Sequence, residues 1–346
     1  MSEEIKNVQE ELNDQMQIRR DKLAEYEADG IYPFGQRFVV KDHAKDIKDD
    51  FLNYEDQPTV IAGRLMTMRS HGKTAFANIR DLTGDIQVYF RKDVLGEDNY
   101  KYVKMLDIGD IVGIEGHVFR THSGEVTIKV NKLTLLSKAL RPLPEKWHGL
   151  KDTELRYRQR YVDLIVNPEV RDTFIKRSKI VAKIREYMMK DGFMEVETPM
   201  MHPIPGGAAA RPFITHHNAL DIDIYMRIAP ELYLKRLIVG GMERVFEMNR
   251  CFRNEGIDNR HNPEFTTIES YQAYGDVEDA IRLTENLVSY CAQEVLGTQE
   301  ITYQGTEINL TPPWNRITMA EGVKKYTGED FDAVTTVEEA RAIADR

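Results

Sequence analysis

The sequence predicts an α+β protein with a small β-barrel in its N-terminal half and an antiparallel sheet flanked by helices in its C-terminal half. Three observations support this prediction. Short β-rich segments separated by turn signals fill residues 59–136. An amphipathic pattern with helical spacing covers about residues 169–190. Two alternating segments, 244–255 and 265–274, adjoin a charged stretch as the arms of a hairpin would.

Composition and charge are those of an ordinary globular protein. The chain has 346 residues, enough for two or three domains, with 41% hydrophobic and 30% charged residues. A formal net charge of −10 excludes a basic field over the whole protein, so nucleic acid could contact only a local patch. The two cysteines, Cys251 and Cys291, are too few for a disulfide framework or a thiolate zinc site. We expect a cytoplasmic setting and no membrane partner, because the apolar runs are short and the acidic N-terminus lacks a signal-peptide pattern.

The N-terminal barrel is predicted from five strand-like segments. They are TVIAGRLMTMR, KTAFANIR, DIQVYF, DIVGIEGHVFR and EVTIKVNKLTLL. Five short strands in one region indicate a small barrel, of which the OB-fold is the expected kind. Such barrels bind single-stranded nucleic acid with aromatic and basic side chains. Candidates for that face are Arg64, Arg69, Lys73, Phe76, Arg80, Gln87 and Tyr89. Composition alone equally favours aromatic residues in the core and basic residues in solvent.

Helical and charged segments flank this barrel. Residues 3–29 have a thin apolar stripe with helical spacing in a highly charged background. Residues 138–160 form a proline-containing linker that ends in RYRQR. For Arg156, Arg158 and Arg160 we favour a charged helix face over a phosphate or RNA contact.

The C-terminal half alternates between helix and strand signals. The predicted elements are a helix over 169–190 with Gly192 as its C-cap, a strand over 193–199, a loop over 202–213, a strand over 218–228, a helix over 229–241 and the hairpin 244–274. The hairpin turn is RNEGIDNRHNPE. Its charges therefore converge at one end of a sheet.

These segments resemble the class II aminoacyl-tRNA synthetases. FRNE, followed by Arg260, His261, Phe265 and Glu269, is similar to motif 2, and the helix that runs into DGFMEVETP is similar to motif 1. RYRQRYVDL after a barrel is typical of the subgroup that has an N-terminal anticodon-binding OB domain and charges lysine, aspartate or asparagine. IPGGAAARPFITHHNALD and RIAPELYLKRL resemble bacterial-type lysyl-tRNA synthetases.

The resemblance implies a domain organisation and a reaction. The implied regions are 1–55, an N-terminal helix and lead-in; 56–140, an OB-fold anticodon-binding domain; 141–165, a linker; and 166–346, a class II catalytic core with motifs 1 and 2. The implied activity is lysine–tRNA ligation with ATP as substrate and Mg²⁺ as cofactor. The implied partners are tRNA(Lys), L-lysine and a second subunit bound through motif 1.

The resemblance also gives the hairpin turn a chemical role. Amino-acid activation brings a carboxylate to the α-phosphate of ATP, so cations must offset the repulsion between two anions. Arg253 matches the family residue that lies between these groups. The implied ATP-binding positions are Arg253, Glu255, Arg260, His261, Asn262 and Phe265, with Arg260 and His261 on the outer phosphates and Phe265 on the adenine.

The amino acid and the anticodon have their own implied residues. Lysine carries two ammonium groups, so its pocket needs carboxylates and a hydroxyl. The resemblance places Glu231 and the backbone near Gly207 on the α-amino group, and Glu269 and Tyr271 in the side-chain pocket. In the barrel it implies that Phe76, Gln87 and Glu125, with Arg69 beside them, read an anticodon uridine.

The sequence departs from the class pattern after Glu269. The glycines that follow have no G-x-G spacing, so motif 3 is absent, and the resemblance places the Mg²⁺ ligands in the same missing part. We therefore expect a piece of a longer enzyme, with no metal ligands of its own. The last segment, TTVEEARAIADR, predicts a helix with a capping box formed by Thr335 and Glu338. Two alternatives stay open: an aspartate or asparagine ligase, and a noncatalytic truncated synthetase that binds RNA.

Overall fold

A computed structural model describes residues 14–144, 150–258 and 260–345. The chain forms two compact units, Met1–Pro168 and Glu169–Arg346. The helix predicted for residues 3–29 is present from Asp14 to Ala28, and its predicted first part lies outside the described residues. Within the described residues, none of the helices combines the length and the apolar character that a bilayer crossing requires.

The first unit is built around a closed five-stranded barrel, as predicted. Its strands are β1 (Pro58–His71), β2 (Thr74–Arg80), β3 (Asp85–Arg91), β4 (Ile111–Arg120) and β5 (Val126–Ser137). They pair in the order β1-β2-β3-β5-β4, with β3 parallel to β5 and the other pairs antiparallel. The helices of this unit are α1 (Asp14–Ala28), α2 (Ala44–Asp49), α3 (Phe51–Tyr54), α4 (Lys92–Leu95), α5 (Glu97–Met105), α6 (Thr153–Arg158) and α7 (Arg160–Val166).

Alternation of buried and outward-facing residues, which is strict in β2 and β3, fills the barrel with one core. In β2, Ala75, Ala77 and Ile79 are buried, whereas the residues between them face outward. Fully buried side chains of the cluster include Ile61, Leu65, Ile86, Val88, Phe90, Ile114 and Ile128. Each large apolar side chain that is buried in this way contributes roughly 1.5–3 kcal/mol. Helices α4 and α5, which the sequence interpretation did not include, add Leu95 and, from α5, Tyr100 and Val103 to the same core.

The arginines of RYRQR are paired with carboxylates of their own segment. Arg156 and Arg160 both form ion pairs with Asp163, whose side chain is fully buried, and Arg158 pairs with Glu154. This pairing agrees with the interpretation of the segment as a charged helix face.

The second unit contains a small sheet with two long helices packed on one of its faces. Its helices are α8 (Pro168–Lys190), α9 (Glu231–Val239), α10 (Val277–Leu296), α11 (Met319–Thr327), α12 (Val337–Ala344) and a 3-10 turn (Phe331–Ala333). Its strands are β6 (Met194–Glu195), β7 (Met201–His202), β8 (Ile214–His217), β9 (Ile222–Met226), β10 (Arg244–Phe252), β11 (Glu264–Gln272), β12 (Glu300–Tyr303) and β13 (Thr306–Asn309).

The predicted hairpin is formed by β10 and β11, which pair antiparallel along their whole length from Arg244↔Gln272 to Phe252↔Glu264. Strand β6 adds to β10 in parallel, so the three-stranded sheet has the order β11-β10-β6. One face of this sheet packs through Phe246 on Met188, Phe193 and neighbouring apolar side chains of α8 and α10. The other face carries the polar residues described below.

Three sequence predictions differ from the structure in detail. The strand predicted over 193–199 is present only at Met194–Glu195. The final helix uses Thr336 and Glu339 as its capping box, not Thr335 and Glu338, because Glu339 Oε2 accepts the Thr336 N–H at 3.3 Å. Both pairs have the same spacing, so the sequence could not separate them. The strand predicted over 218–228 begins at Ile222, after Asp221 takes a positive φ of 50°. Helix α10 and the β12–β13 hairpin had no counterpart in the prediction.

Candidate functional site

Arg253 lies directly after β10, and its guanidinium forms no ion pair within the part of the chain that the structure describes. Its backbone N–H donates to the Pro263 carbonyl at 2.8 Å, and this bond closes the start of the turn. The guanidinium carbon lies 5.1 Å from the centre of the Phe265 ring. Its Nε is buried and has no hydrogen-bond partner among the described residues. An unpaired buried donor costs about 1–3 kcal/mol, so this atom favours a ligand that offers an acceptor.

The turn that follows is organised by one carboxylate. Asp258 Oδ1 accepts the N–H groups of Arg260 and His261 at 2.7 and 2.8 Å, and Asp258 Oδ2 lies 2.7 Å from His261 Nδ1. The bond from the Arg260 N–H and those from His261 hold the pKa of Asp258 below its usual range. Arg260, His261 and Asn262 are exposed at the tip. The structure therefore exposes these three side chains to solvent. In the sequence they lie between Arg253 and Phe265.

Glu255 connects this turn to the loop over 202–213. Its Oε1 accepts the Arg211 N–H at 3.3 Å, while the Asn254 N–H donates to the Arg211 carbonyl at 2.7 Å. The loop and the hairpin turn are thus joined beside Arg253.

An anionic pocket lies on the same face of the hairpin. Tyr271 Oη donates to Glu269 Oε2 at 3.3 Å, as expected for residues two apart on a strand. Burial raises the pKa of Glu269, and the nearby charges of Glu231 and Glu247 raise it further. Burial and the adjacent Glu269 also raise the pKa of Tyr271. Such a pocket would gain from a bound cation, which would offset the cost of desolvating the carboxylates.

Gly207 brings the loop backbone onto the start of α9. It has a φ of +89°, and a Cβ built on it would lie 3.0 Å from the Glu231 Cβ and 3.2 Å from the Ala229 Cβ. Only glycine combines this backbone conformation with so close an approach. The Glu231 carboxylate is meanwhile paired with Lys235, whose Nζ lies 2.6 Å away.

A buried polar layer lies behind these residues, and the sequence interpretation missed it. Arg227 and Glu247 form an ion pair at 2.6 Å, with both side chains 4% exposed. The Cys251 thiol donates to Asn249 Oδ1 at 3.1 Å, and burial raises the pKa of Cys251 to about 11. Asn249 Nδ2 is buried and unpartnered among the described residues. The residues Glu247, Asn249 and Cys251 occupy every second position of β10, a spacing that could have revealed this face.

On the barrel, the structure brings three of the predicted anticodon residues to one outer face. Arg69 lies opposite Phe76 in the β1–β2 register, and Gln87 lies on β3 beside them. The Phe76 and Tyr89 rings stack with centres 4.4 Å apart and planes 19° apart. Phe119, which the sequence interpretation missed, extends the aromatic surface at 6.2 Å from Tyr89.

The remaining barrel candidates have structural contacts. Gln87 Oε1 accepts the Thr127 hydroxyl at 2.8 Å, and Glu125 lies in the turn before β5, 3.4 Å from Lys48. Arg64 donates to the Gly109 carbonyl at 2.7 Å, and Arg80 pairs with Asp85 at 2.5 Å. Of the other basic candidates, Arg69 lies beside the aromatic stack, and Lys73 lies in the turn between β1 and β2.

The described residues contain no cluster of metal-ligating side chains. Within residues 14–144, 150–258 and 260–345, no group of three or more His, Cys, Asp or Glu side chains is placed to hold a metal ion.

Comparisons with known proteins define the class. Residues 152–341 match the family described as tRNA synthetases class II (D, K and N), and residues 59–136 match the OB-fold nucleic acid binding domain. The chain therefore belongs to the class II tRNA synthetases of the aspartate, lysine and asparagine group. The predicted fold class and the resemblance based on FRNE are confirmed.

Individual relatives narrow the comparison to one member of that group. A lysine–tRNA ligase of Thermoanaerobacter pseudethanolicus is 58% identical over 99% of this chain and 69% of its own length. Lysine–tRNA ligases of Carboxydothermus hydrogenoformans and Pelotomaculum thermopropionicum are 58% and 59% identical, over 97% and 96% of this chain. The chain spans 69% and 66% of those two relatives.

Proposed function

We propose that this chain acts in lysine–tRNA ligation, carrying the lysine-activating hairpin and the anticodon-binding barrel. One observation supports this proposal best: Arg253 and the anionic pocket at Glu269 lie on the same face of the hairpin. The Nε of Arg253 has no hydrogen-bond partner among the described residues. Similarity to the lysine–tRNA ligases along nearly the whole chain adds independent support.

In the first step, a lysine carboxylate oxygen attacks the α-phosphorus of ATP, and pyrophosphate leaves. Arg253 would offset the charge of both reacting anions, and its buried Nε, which has no hydrogen-bond partner among the described residues, would supply a donor. A preorganised donor of this kind contributes roughly 10²–10³ in rate. Phe265 offers the adenine a ring face, and Arg260 and His261 are exposed for the outer phosphates.

In the second step, the terminal ribose hydroxyl of tRNA attacks the carbonyl carbon of lysyl-adenylate, and AMP leaves. Magnesium would accompany ATP and neutralise its phosphates. The described residues supply no ligand set for that ion, and the roles proposed for Arg253, Phe265 and Glu269 do not depend on it.

Charge in the pocket favours lysine over the other amino acids of the group. Glu269 and Glu231, with the Tyr271 hydroxyl, would accept hydrogen bonds from ammonium groups. An aspartate side chain would instead meet carboxylates, and like charges there would be repelled.

The barrel and the motif 1 helix supply the macromolecular contacts. Stacking of an anticodon uridine of tRNA(Lys) on Phe76 would contribute roughly 1–3 kcal/mol. A homodimer through α8 is supported by Phe174 and Ile180, which are 44% and 38% exposed on that helix. We expect cytoplasmic protein synthesis to be the setting, and light scattering would show a dimer mass.

The deciding experiment is ATP–pyrophosphate exchange with lysine, aspartate and asparagine as separate substrates. We expect exchange with lysine alone. Exchange with aspartate or asparagine would overturn the argument from pocket charge. Absence of exchange with all three, together with tRNA binding, would favour the noncatalytic RNA-binding alternative.

A further inference from the structure

The carboxylates around the proposed lysine pocket differ in whether a cation already neutralises them. Glu231 pairs with Lys235, and both side chains are partly exposed. Glu247 pairs with Arg227 in a buried site. Among the described residues, no lysine, arginine or histidine forms an ion pair with Glu269. Glu269 is therefore the pocket carboxylate whose charge is available to a ligand.

Glu247 faces Glu269 directly across the hairpin. The two residues are partners in the β10–β11 register. Opposed residues on one face of an antiparallel pair have Cβ atoms roughly 4.5–5.5 Å apart, so two unpaired carboxylates there would repel each other. Arg227 offsets this repulsion by donating to Glu247 Oε1, and the Thr198 hydroxyl donates to Glu247 Oε2 at 2.6 Å.

Arg227 is fixed in place by the backbone around it. Its Nε donates to the Arg250 carbonyl at 2.7 Å, and its Nη1 donates to the Thr198 carbonyl at 3.2 Å. Its own N–H donates to the Met200 carbonyl, and its carbonyl accepts the Phe252 N–H at 2.9 Å. A guanidinium remains protonated at every physiological pH. Arg227 is thus a permanent positive charge committed to Glu247.

We propose that Arg227 is a positioning residue for amino-acid specificity: by neutralising Glu247 permanently, it leaves Glu269 as the pocket anion that meets the side-chain ammonium of lysine. This inference rests on the proposed function and deepens it. Arg227 does not touch the amino acid and acts through the charge of Glu247. Without Arg227 the buried layer would carry an extra negative charge opposite Glu269. Without Glu247 it would carry a positive charge that repels an ammonium.

Other ionisable groups that face Glu269 are kept constant in the test. They are Tyr271 on β11, Glu231 and Lys235 on α9, and Cys251 and Arg253 on β10.

The test measures the ionisation of Glu269 by ¹³C NMR of the glutamate carboxyl carbons in the full chain, with Glu269→Gln to assign the signal. In Arg227→Met the facing glutamates should titrate as a pair with a pKa raised by about 1–2 units. Glu247→Gln leaves Arg227 unpaired and should lower the pKa of Glu269. The double variant Arg227→Met/Glu247→Gln should return it to near the wild-type value.

Two further variants separate charge from structure. Arg227→Lys keeps the positive charge and should leave the titration close to that of the wild type. Arg250→Met removes an exposed arginine from the opposite face of β10 and should also leave it unchanged. Lysine affinity, measured by calorimetry at neutral pH, should fall about tenfold or more in Glu247→Gln, where the unpaired Arg227 repels the ammonium, and recover in the double variant.

Several outcomes would overturn the proposal. One is a displacement of the Glu269 pKa in the same direction in Arg227→Met and in Glu247→Gln. Another is a displacement below about 0.3 units in folded protein, which is small against ordinary charge effects. If Arg227→Met and Glu247→Gln do not fold, Arg227→Lys decides, because it keeps the positive charge and a displaced Glu269 pKa in that variant would contradict the proposal. Failure of the wild-type chain to bind lysine would instead refute the proposed function. The two failures can be distinguished because the pKa of Glu269 in the variants is measured without lysine.

Discussion

At the scale of single residues, the unpartnered Arg253 gives the sharpest prediction. Arg253→Ala should lower lysine-dependent ATP–pyrophosphate exchange by roughly 10²–10³, because one preorganised donor is lost. Thermal stability should change little, since the guanidinium contacts Phe265 but forms no ion pair within the described residues. Exchange kinetics and a thermal melt check both parts.

The matched control for this change is Arg250→Ala. Arg250 lies three residues earlier, on the opposite face of β10, in an exposed pair with Glu264 at 3.3 Å. Both exchange and stability should stay near wild-type values. Equal losses in the two variants would show that the strand as a whole, not the position of Arg253, carries the effect.

Glu269 predicts opposite changes in stability and binding. Its raised pKa means that the folded state favours the protonated form, so this contribution to stability is fully present below the ordinary carboxyl pKa of about 4.3 and is lost as pH rises through the folded pKa. Glu269→Gln should therefore raise the melting temperature at pH 8, with the difference vanishing in acid. Lysine affinity should fall roughly 10–100-fold, because a charge-assisted hydrogen bond is lost. A lower melting temperature at pH 8 would contradict the raised pKa.

Contiguous motifs made some site residues predictable, and distance along the chain hid others. Arg253 and Phe265 could be selected because FRNE and NPEF are unbroken patterns. The pair of Arg227 and Glu247 could not, because its partners are 20 residues apart and charged residues are usually exposed. Burial of both depends on how β10 meets the segment before α9, which local sequence does not encode.

At the scale of elements, alternation was a reliable signal and helical spacing a partial one. Strands β2 and β3 alternate buried and outward-facing residues, and the β10–β11 hairpin has one face packed on apolar side chains and one polar face. This alternation fixes the register and made the strands predictable. Helix α10 begins with a capping box at Asp276 and Asp279, yet the interpretation assigned nothing there. Helix α10 packs on the cluster that contains Phe246, and spacing in the sequence could not show this contact.

Two glycines with positive φ predict different effects of substitution by alanine. Gly207 and Gly241 have φ values of +89° and +94°, so alanine should cost about 1–2 kcal/mol of stability at each. Only at Gly207 would the new Cβ meet Glu231, whereas nothing lies within 4 Å at Gly241. Lysine KM should therefore rise roughly tenfold or more in Gly207→Ala and stay unchanged in Gly241→Ala. An equal rise in both would assign the effect to backbone strain alone.

At the scale of the whole molecule, the candidate residues divide between the two compact units. The aromatic stack of Phe76 and Tyr89 lies on the outside of a barrel whose core is complete within the first unit. All candidate activation residues, from Gly207 to Tyr271, lie in the second unit.

Phe76→Ala should therefore raise the KM for tRNA in aminoacylation roughly 10–100-fold, because one stacked base contributes about 1–3 kcal/mol. Exchange without tRNA should not change. Tyr32→Ala, which removes an aromatic residue that is 68% exposed before β1, is the matched control and should affect neither reaction. A fall in exchange in Phe76→Ala would mean that the barrel face influences activation itself, and the two reactions could then no longer be assigned to separate units.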